Sequence, residues 1–140
     1  MKIRNRIISL VMLAVMLFTM AIPTFAQDNA ITPYYNNTAS TETVFVIDEN
    51  GVASISYTCM GYRNITTSIS VEMKIQKKTW WWWNDVDGTY WTDSSNTYYC
   101  SNAHSVQLNQ GGTYKAVVTY TVYGSGGEAD VINSEVEKSY

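Results

Sequence analysis

Thr113-Tyr-Lys-Ala-Val-Val-Thr-Tyr-Thr-Val-Tyr123 is the stretch whose reading decides the fold. Its residues are nearly all β-branched or aromatic, and glycines stand at both ends, Gly112 and Gly124. A helix restricts the rotamers of so many β-branched side chains, whereas a pleated, half-buried surface suits them. Period-two alternation puts Tyr114, Ala116, Val118, Tyr120 and Val122 on one face, and Lys115, Val117, Thr119, Thr121 and Tyr123 on the other. Apolar surface on both faces predicts a central strand with the core beneath it. Downstream, Gly124 to Gly127 reads as a turn, and the more polar Ala129 to Lys138 as an edge strand. Upstream, Ser105 to Leu108 reads as a short strand with Val106 and Leu108 inward.

Further upstream the alternation continues. Thr67 to Lys77 predicts a strand with Ile69, Val71, Met73 and Ile75 inward and Ser68, Ser70, Glu72, Lys74 and Gln76 outward. Thr43–Asp48 and Val52–Met60 flank Asn50-Gly51, a strong hairpin signal because both residues tolerate positive φ. Pairing Glu49 with Val52 would put Val44 and Val46 on the face of Ala53, Ile55, Tyr57 and Cys59. Phe45 and Ile47 would then lie beside Ser54, Ser56 and Thr58. Seven or eight short strands without a helical period predict an all-β fold, a single antiparallel β-sandwich over residues 41–140. The expected common core is Tyr57, Val71, Met73, Ile75, Val106, Leu108, Ala116 and Val118.

Leu108-Asn-Gln-Gly-Gly-Thr-Tyr114 resembles the tyrosine corner of immunoglobulin-like folds. The immunoglobulin pattern places a cysteine two residues after that tyrosine. Ala116 stands there, so the inter-sheet disulfide is absent, and a tyrosine that is simply a core residue explains the same letters.

The chain opens with Lys2, Arg4 and Arg6, an apolar run Ile7 to Met20, and Thr24 and Ala26 at the positions a signal peptidase reads. This is the layout of a secretory signal peptide over residues 1–26, and it predicts a secreted, extracellular product. A permanent membrane anchor is the competing reading, for which the apolar run is short. Gln27 to Ser40, polar and aperiodic with Pro33, reads as a flexible N-terminal tail. Asn36-Asn37-Thr38 and Asn64-Ile65-Thr66 match the glycosylation pattern, which carries little weight behind a bacterial-looking leader.

Removing 26 of 140 residues leaves 114, enough for one domain with one core. The leader takes three of the nine basic residues and none of the 12 acidic ones, so the net charge falls from −3 to −6. Such an acidic surface argues against nucleic acid and against membrane contact through anionic lipid.

Over most of its length the chain resembles a family of small secreted proteins from Gram-positive, clostridia-type gut bacteria. The residues carrying the resemblance are Pro23-Thr-Phe-Ala26, Ile31-Thr-Pro-Tyr-Tyr-Asn-Asn-Thr38, Lys74-Ile-Gln-Lys-Lys78, Trp83 with Val86-Asp-Gly88 and Trp91, and Gly111-Gly-Thr-Tyr-Lys-Ala116 with Gly126-Gly-Glu-Ala129. The resemblance implies secretion and a β-fold, and it implies no reaction and no cofactor.

Catalytic chemistry is sparse in the sequence. His104 is the single histidine, and no nucleophile elbow or phosphate loop is present. Asp85, Asp87 and Asp93 around Gly88 fail the spacing of a calcium loop, and Asp87-Gly88 as a hairpin turn explains the same letters. Cys59 and Cys100 are the only cysteines. In an exported protein they read as one disulfide, worth about 4 kcal/mol for a loop of roughly 40 residues. A buried thiol on the apolar face of its strand is the equal alternative for Cys59.

Trp80-Trp-Trp-Trp83 is the least ordinary run. Adjacent strand residues face opposite ways, so four consecutive indoles cannot all enter one core. With an Asp87-Gly88 hairpin, Trp80, Trp82, Val86 and Trp91 share one face and Trp81, Trp83 and Tyr90 the other. Alternatively, Thr79 to Trp82 form a hairpin tip and only Trp83 is buried. Either way at least two indoles are expected at the surface near a hairpin tip, with Tyr90 or Trp91 as neighbour. The expected function is a non-catalytic binding module using these rings on a glycan or a protein. A membrane-active protein is the alternative, which the acidic charge and β-pattern disfavour.

Overall fold

The computed structural model of the chain describes Tyr34 to Tyr140, a compact unit in itself. The expected signal peptide and residues 27–33 of the expected tail lie outside the described residues. Eight strands follow one another: β1 Thr38–Ile47, β2 Val52–Gly61, β3 Thr66–Thr79, β4 Trp82–Asp85, β5 Trp91–Ser95, β6 Tyr99–Gln107, β7 Thr113–Gly124 and β8 Asp130–Ser139. One sheet has the order β1-β2-β6, the other β4-β3-β7-β8, with β5 also paired to β3. Every pairing is antiparallel. The two sheets form a β-sandwich of the immunoglobulin-like kind, with the first two strands in one sheet and the last two in the other.

The deciding stretch is central, as its two apolar faces predict: β7 lies between β3 and β8. Tyr114, Ala116, Val118, Tyr120 and Val122 are all buried, opposite Ile69, Val71, Met73 and Ile75 of β3. From the other sheet Ala53, Ile55, Tyr57 and Cys59 complete the core. Of the expected core residues only Val106 is partly buried, packed at the margin. Each fully buried aliphatic side chain here stabilises by about 1.5–3 kcal/mol. Of the two readings of Tyr114 the corner is the observed one, its hydroxyl donating to Gln110 O at 2.5 Å. Tyr120, the largest fully buried side chain, donates to Glu42 O at 2.9 Å and accepts from Thr43 Oγ1 at 2.6 Å. Burial, the largest influence, pushes its phenol pKa up to about 12.

Three expectations are corrected. The β1–β2 loop holds three residues, not two: Asp48 N–H bonds to Val52 O at 3.1 Å, and Gly51 N–H to Asp48 O at 3.0 Å. The Asp48 carboxylate also accepts Asn50 N–H and Val52 N–H, and Gly51 takes φ 81°, the left-handed bulge position glycine fills cheaply. The extra residue shifts the register by one, so Phe45 pairs with Ile55 and is buried while Val44 and Val46 face solvent.

Second, Asp87-Gly88 does not reverse the chain. Both β4 and β5 run antiparallel to β3, as one edge strand interrupted between Asp85 and Trp91. Val86 to Thr89 form a β-turn bulging from that edge, and buried Thr89 fills the gap, accepting from Ile75 N–H through Oγ1 at 3.2 Å and donating to Val86 O at 2.6 Å.

Third, the ordered domain reaches into the expected tail. β1 starts at Thr38, and Asn37 is wholly buried. The Asn37 side chain bonds Glu128 O and Gly126 N–H. The Asp130 carboxylate accepts Asn36 N–H, Asn37 N–H and the Thr38 hydroxyl at 3.0, 2.7 and 2.8 Å. Thr66 Oγ1 donates to Asn37 O. Both threonines of the glycosylation-like patterns are thus tied into one buried knot.

Candidate functional site

The tryptophan run forms a hairpin tip. Thr79 pairs with Trp82 and Lys78 with Trp83, which leaves Trp80 and Trp81 as a two-residue loop. Trp80, Trp81 and Trp82 are 79, 75 and 69% exposed, far beyond any role in the core. Trp80 has φ 61°, whereas Trp81 keeps negative φ. A two-residue hairpin of this pattern normally has glycine at its first loop position. A bulky residue held there costs about 1–2 kcal/mol. Trp80 and Trp81 meet edge to face, with centroids 5.7 Å apart and planes at 80°.

Trp83 differs from its neighbours. It lies on the outer face of the five-stranded sheet with Lys115 Nζ 4.6 Å and Lys78 Nζ 5.6 Å from its ring centroid. Lys115, expected to point outward, does so but is buried under this ring, and its ammonium donates to Glu135 Oε2 at 2.9 Å. The second hairpin arrangement considered for this run is therefore the observed one, with Trp83 half covered.

Tyr90 and Trp91 separate from the tip. Tyr90 is exposed and borders a groove of about 210 Å³ on the outer sheet face, lined also by Glu72, Lys74, Asp85, Val117 and Thr119. Asp85 there accepts from Gln76 Nε2 and Lys74 Nζ, which hold its pKa below the usual carboxylate value. Trp91 pairs with Met73 and faces inward, stacked on His104 with centroids 5.3 Å apart and planes at 18°.

Alternation alone does not connect Trp91, Asp93, Asn102, His104 and Tyr57, which meet where β5 and β6 close one side of the sandwich. Asp93 Oδ2 accepts the Tyr57 hydroxyl at 2.8 Å, His104 Nε2–H at 2.8 Å and Asn102 Nδ2 at 3.2 Å. Burial pushes the Asp93 pKa up, but the His104 and Tyr57 hydrogen bonds outweigh it and leave it lowered. Burial and the bonds to Cys100 and Asp93 push the Tyr57 phenol far above its usual value, so it remains a donor. The lone histidine is engaged in joining the two sheets.

Cys59 and Cys100 face each other across β2 and β6 and stand as free thiols. Gly61 N–H to Tyr98 O at 2.7 Å fixes the phase of this ladder. By alternation Cys59 and Cys100 occupy a hydrogen-bonded pair, with Cα atoms about 5.5 Å apart and side chains splayed more than in the intervening pairs. Burial, then the neighbouring Cys100, pushes the Cys59 pKa up to about 12. Among the described residues no cluster of His, Cys, Asp and Glu is arranged to hold a metal ion.

No family model, curated protein or solved structure matches the chain.

Proposed function

We propose that the chain is an exported, non-catalytic binding module whose contact site is the Trp80–Trp82 tip. The observation that carries this reading is three consecutive indoles exposed on a two-residue hairpin, one of them at φ 61°. Glycine at that position would relieve the backbone, and polar residues would improve solubility. A residue that harms both is retained for what it touches. Indoles anchor contacts well because a large amphipathic ring loses little rotamer entropy on binding. The leader-like residues 1–26 support export. The engagement of His104 and Asp93 with each other and with Tyr57 supports a structural rather than a chemical use of the only histidine.

The shape of the tip bears on the ligand. A flat platform for sugar rings needs coplanar indoles, and Trp80 and Trp81 stand at 80°. A glycan or protein ligand would have to enclose the tip. The test is a binding screen with the wild type and a Trp80→Ala/Trp81→Ala variant against peptidoglycan, mucin glycans, peptide libraries and lipid vesicles. The variant loses the wild type's ligand while its melting temperature stays within a few degrees. A variant that retains binding, or that unfolds, overturns the reading.

A further inference from the structure

We infer that the partner of the tip is the interfacial layer of a lipid bilayer, into which Trp80, Trp81 and Trp82 insert. The inference rests on the tip being the contact site and adds what it contacts.

The tip protrudes with three exposed indoles, and the Trp80 and Trp81 rings meet edge to face, so they present no single flat platform. Such an angular cluster suits a soft medium that closes around it. Tryptophan also partitions to the headgroup level, where its ring is buried and its N–H stays wet. The dimensions agree. From the Lys78–Trp83 pair, the hairpin advances two to three residues to its end, roughly 7–10 Å at strand rise. Interfacial segments bury about 5–10 Å into the boundary of headgroups and acyl chains. At that depth the loop's free backbone groups remain among hydrated headgroups and avoid the hydrocarbon core.

The charge at the tip end is mixed, with two lysines left over. The described residues are acidic overall, yet Lys74, Lys77, Lys78 and Lys115 all lie on β3 and β7 toward the tip end. Lys74 and Lys115 are paired with Asp85 and Glu135. Lys77 Nζ instead donates to Gln110 Oε1 at 2.7 Å and lies 5.5 Å from the Tyr114 ring centroid, while Lys78 lies beside Trp83. Among the described residues neither lysine has a carboxylate partner. With the indoles inserted, these two ammonium groups sit at phosphate level. Asp85, Asp87, Glu135 and Glu137 lie at this same end of the sheet: Gln76 pairs with Asp85, Lys115 with Glu137, and Asp87 lines one pocket with Lys77. These carboxylates oppose an anionic surface, so the indoles carry the contact, and Lys77 and Lys78 offset part of the repulsion.

The experiment uses the form beginning at Gln27. It contains the whole compact unit Tyr34–Tyr140 and lacks the apolar run Ile7 to Met20 that would bind lipid by itself. Cosedimentation is measured with vesicles of phosphatidylcholine, and of phosphatidylcholine mixed with phosphatidylglycerol. The wild type is expected to bind both, with a blue-shifted indole emission that lipid-borne quenchers reach. Each of Trp80→Ala, Trp81→Ala and Trp82→Ala lowers the partition coefficient on the order of tenfold. Trp80→Gly does the same while relieving the backbone, so its loss of binding is separable from misfolding. Lys77→Gln and Lys78→Gln each weaken binding to the mixed vesicles on the order of fivefold and leave phosphatidylcholine binding unchanged. Tip variants that bind vesicles like the wild type overturn the inference. Absence of vesicle binding, with a glycan or protein ligand that the Trp80→Ala/Trp81→Ala variant loses, overturns the bilayer and leaves the contact site standing. Absence of every ligand overturns both.

Discussion

Asp130→Ala is expected to be the most damaging single change at the end of the sandwich away from the tryptophans. The Asp130 carboxylate is buried and accepts two backbone N–H groups and one hydroxyl, from Asn36, Asn37 and Thr38, at 2.7–3.0 Å. Hydrogen bonds to a charged group contribute about 1.5–3 kcal/mol each, and three on one carboxylate are not additive, so a total loss of about 3–5 kcal/mol follows. At roughly 4 °C per kcal/mol for a domain near 100 residues, the melting temperature should fall by at least about 12 °C. Tyr34 to Ser40 should also become accessible to protease, because Asn37 loses its hold on the β7–β8 turn. The pH dependence has a definite sign. Burial pushes the Asp130 pKa up, but the Asn37, Thr38 and Asn36 bonds outweigh it and hold it below the usual carboxylate value. Its stabilisation is therefore complete above the unfolded-state pKa, about 3.9, and is lost as pH falls through the lower folded value. Asp130→Asn, which cannot titrate, should melt lower at neutral pH and lose less stability on acidification. Thermal melts of wild type and variant at pH 7 and pH 3 decide it. An Asp130→Ala melting temperature within 2 °C of wild type would refute the reasoning.

Other outcomes follow from the same kind of accounting. Trp80→Gly should change stability by less than about 1 kcal/mol in chemical denaturation, because relief at φ 61° offsets glycine's greater unfolded-state entropy. Trp83→Ala should lower stability by about 1–2 kcal/mol, unlike Trp80→Ala or Trp81→Ala, because it uncovers Lys115 beneath the ring. Cys59 and Cys100 should resist alkylation in native buffer and react fully in denaturant, since burial keeps the Cys59 thiol protonated. Asp93→Ala should destabilise by about 2–4 kcal/mol and unstack His104 from Trp91, visible as a change in near-ultraviolet circular dichroism.

The parts of the fold legible in the sequence are those where a single strand states its own case. β3 and β7 alternate over many residues, so their inner faces and the central place of β7 followed from local pattern; a corner and a plain core tyrosine fitted Tyr114 equally, and its bond to Gln110 O decides for the corner. The β1–β2 hairpin was legible as a hairpin but not in register. Asn50-Gly51 fits a two-residue and a three-residue loop, and the choice turned on the Asp48 carboxylate capping two N–H groups. A single residue in that loop exchanges Phe45 for Val44 in the core. The signal was present, since Phe45 and Ile47 carry more apolar surface than Val44 and Val46 and burying the larger pair is favoured.

The polar groups that unite the domain were less legible because their partners are far apart in the chain. Asn37 and Asp130 are 93 positions apart, and Tyr57 and Asp93 are 36 apart. No periodicity links such residues, and only the topology that stacks β5 of one sheet beside β6 of the other brings Asp93 to His104. The tryptophan tip is the opposite case. Its exposure followed from geometry that holds for any strand, because neighbours cannot share a face. Which indoles remain outside depended on where the two loop positions fell. They fell at Trp80 and Trp81 because Lys78 stays beside Trp83 and Thr79 beside Trp82. A shift of one residue along β4 would have moved Trp83 off Lys115 and exposed a buried ammonium-bearing chain without its cover. The packing that fixes Trp83 on the sheet is thus the same packing that drives its three neighbours into solvent.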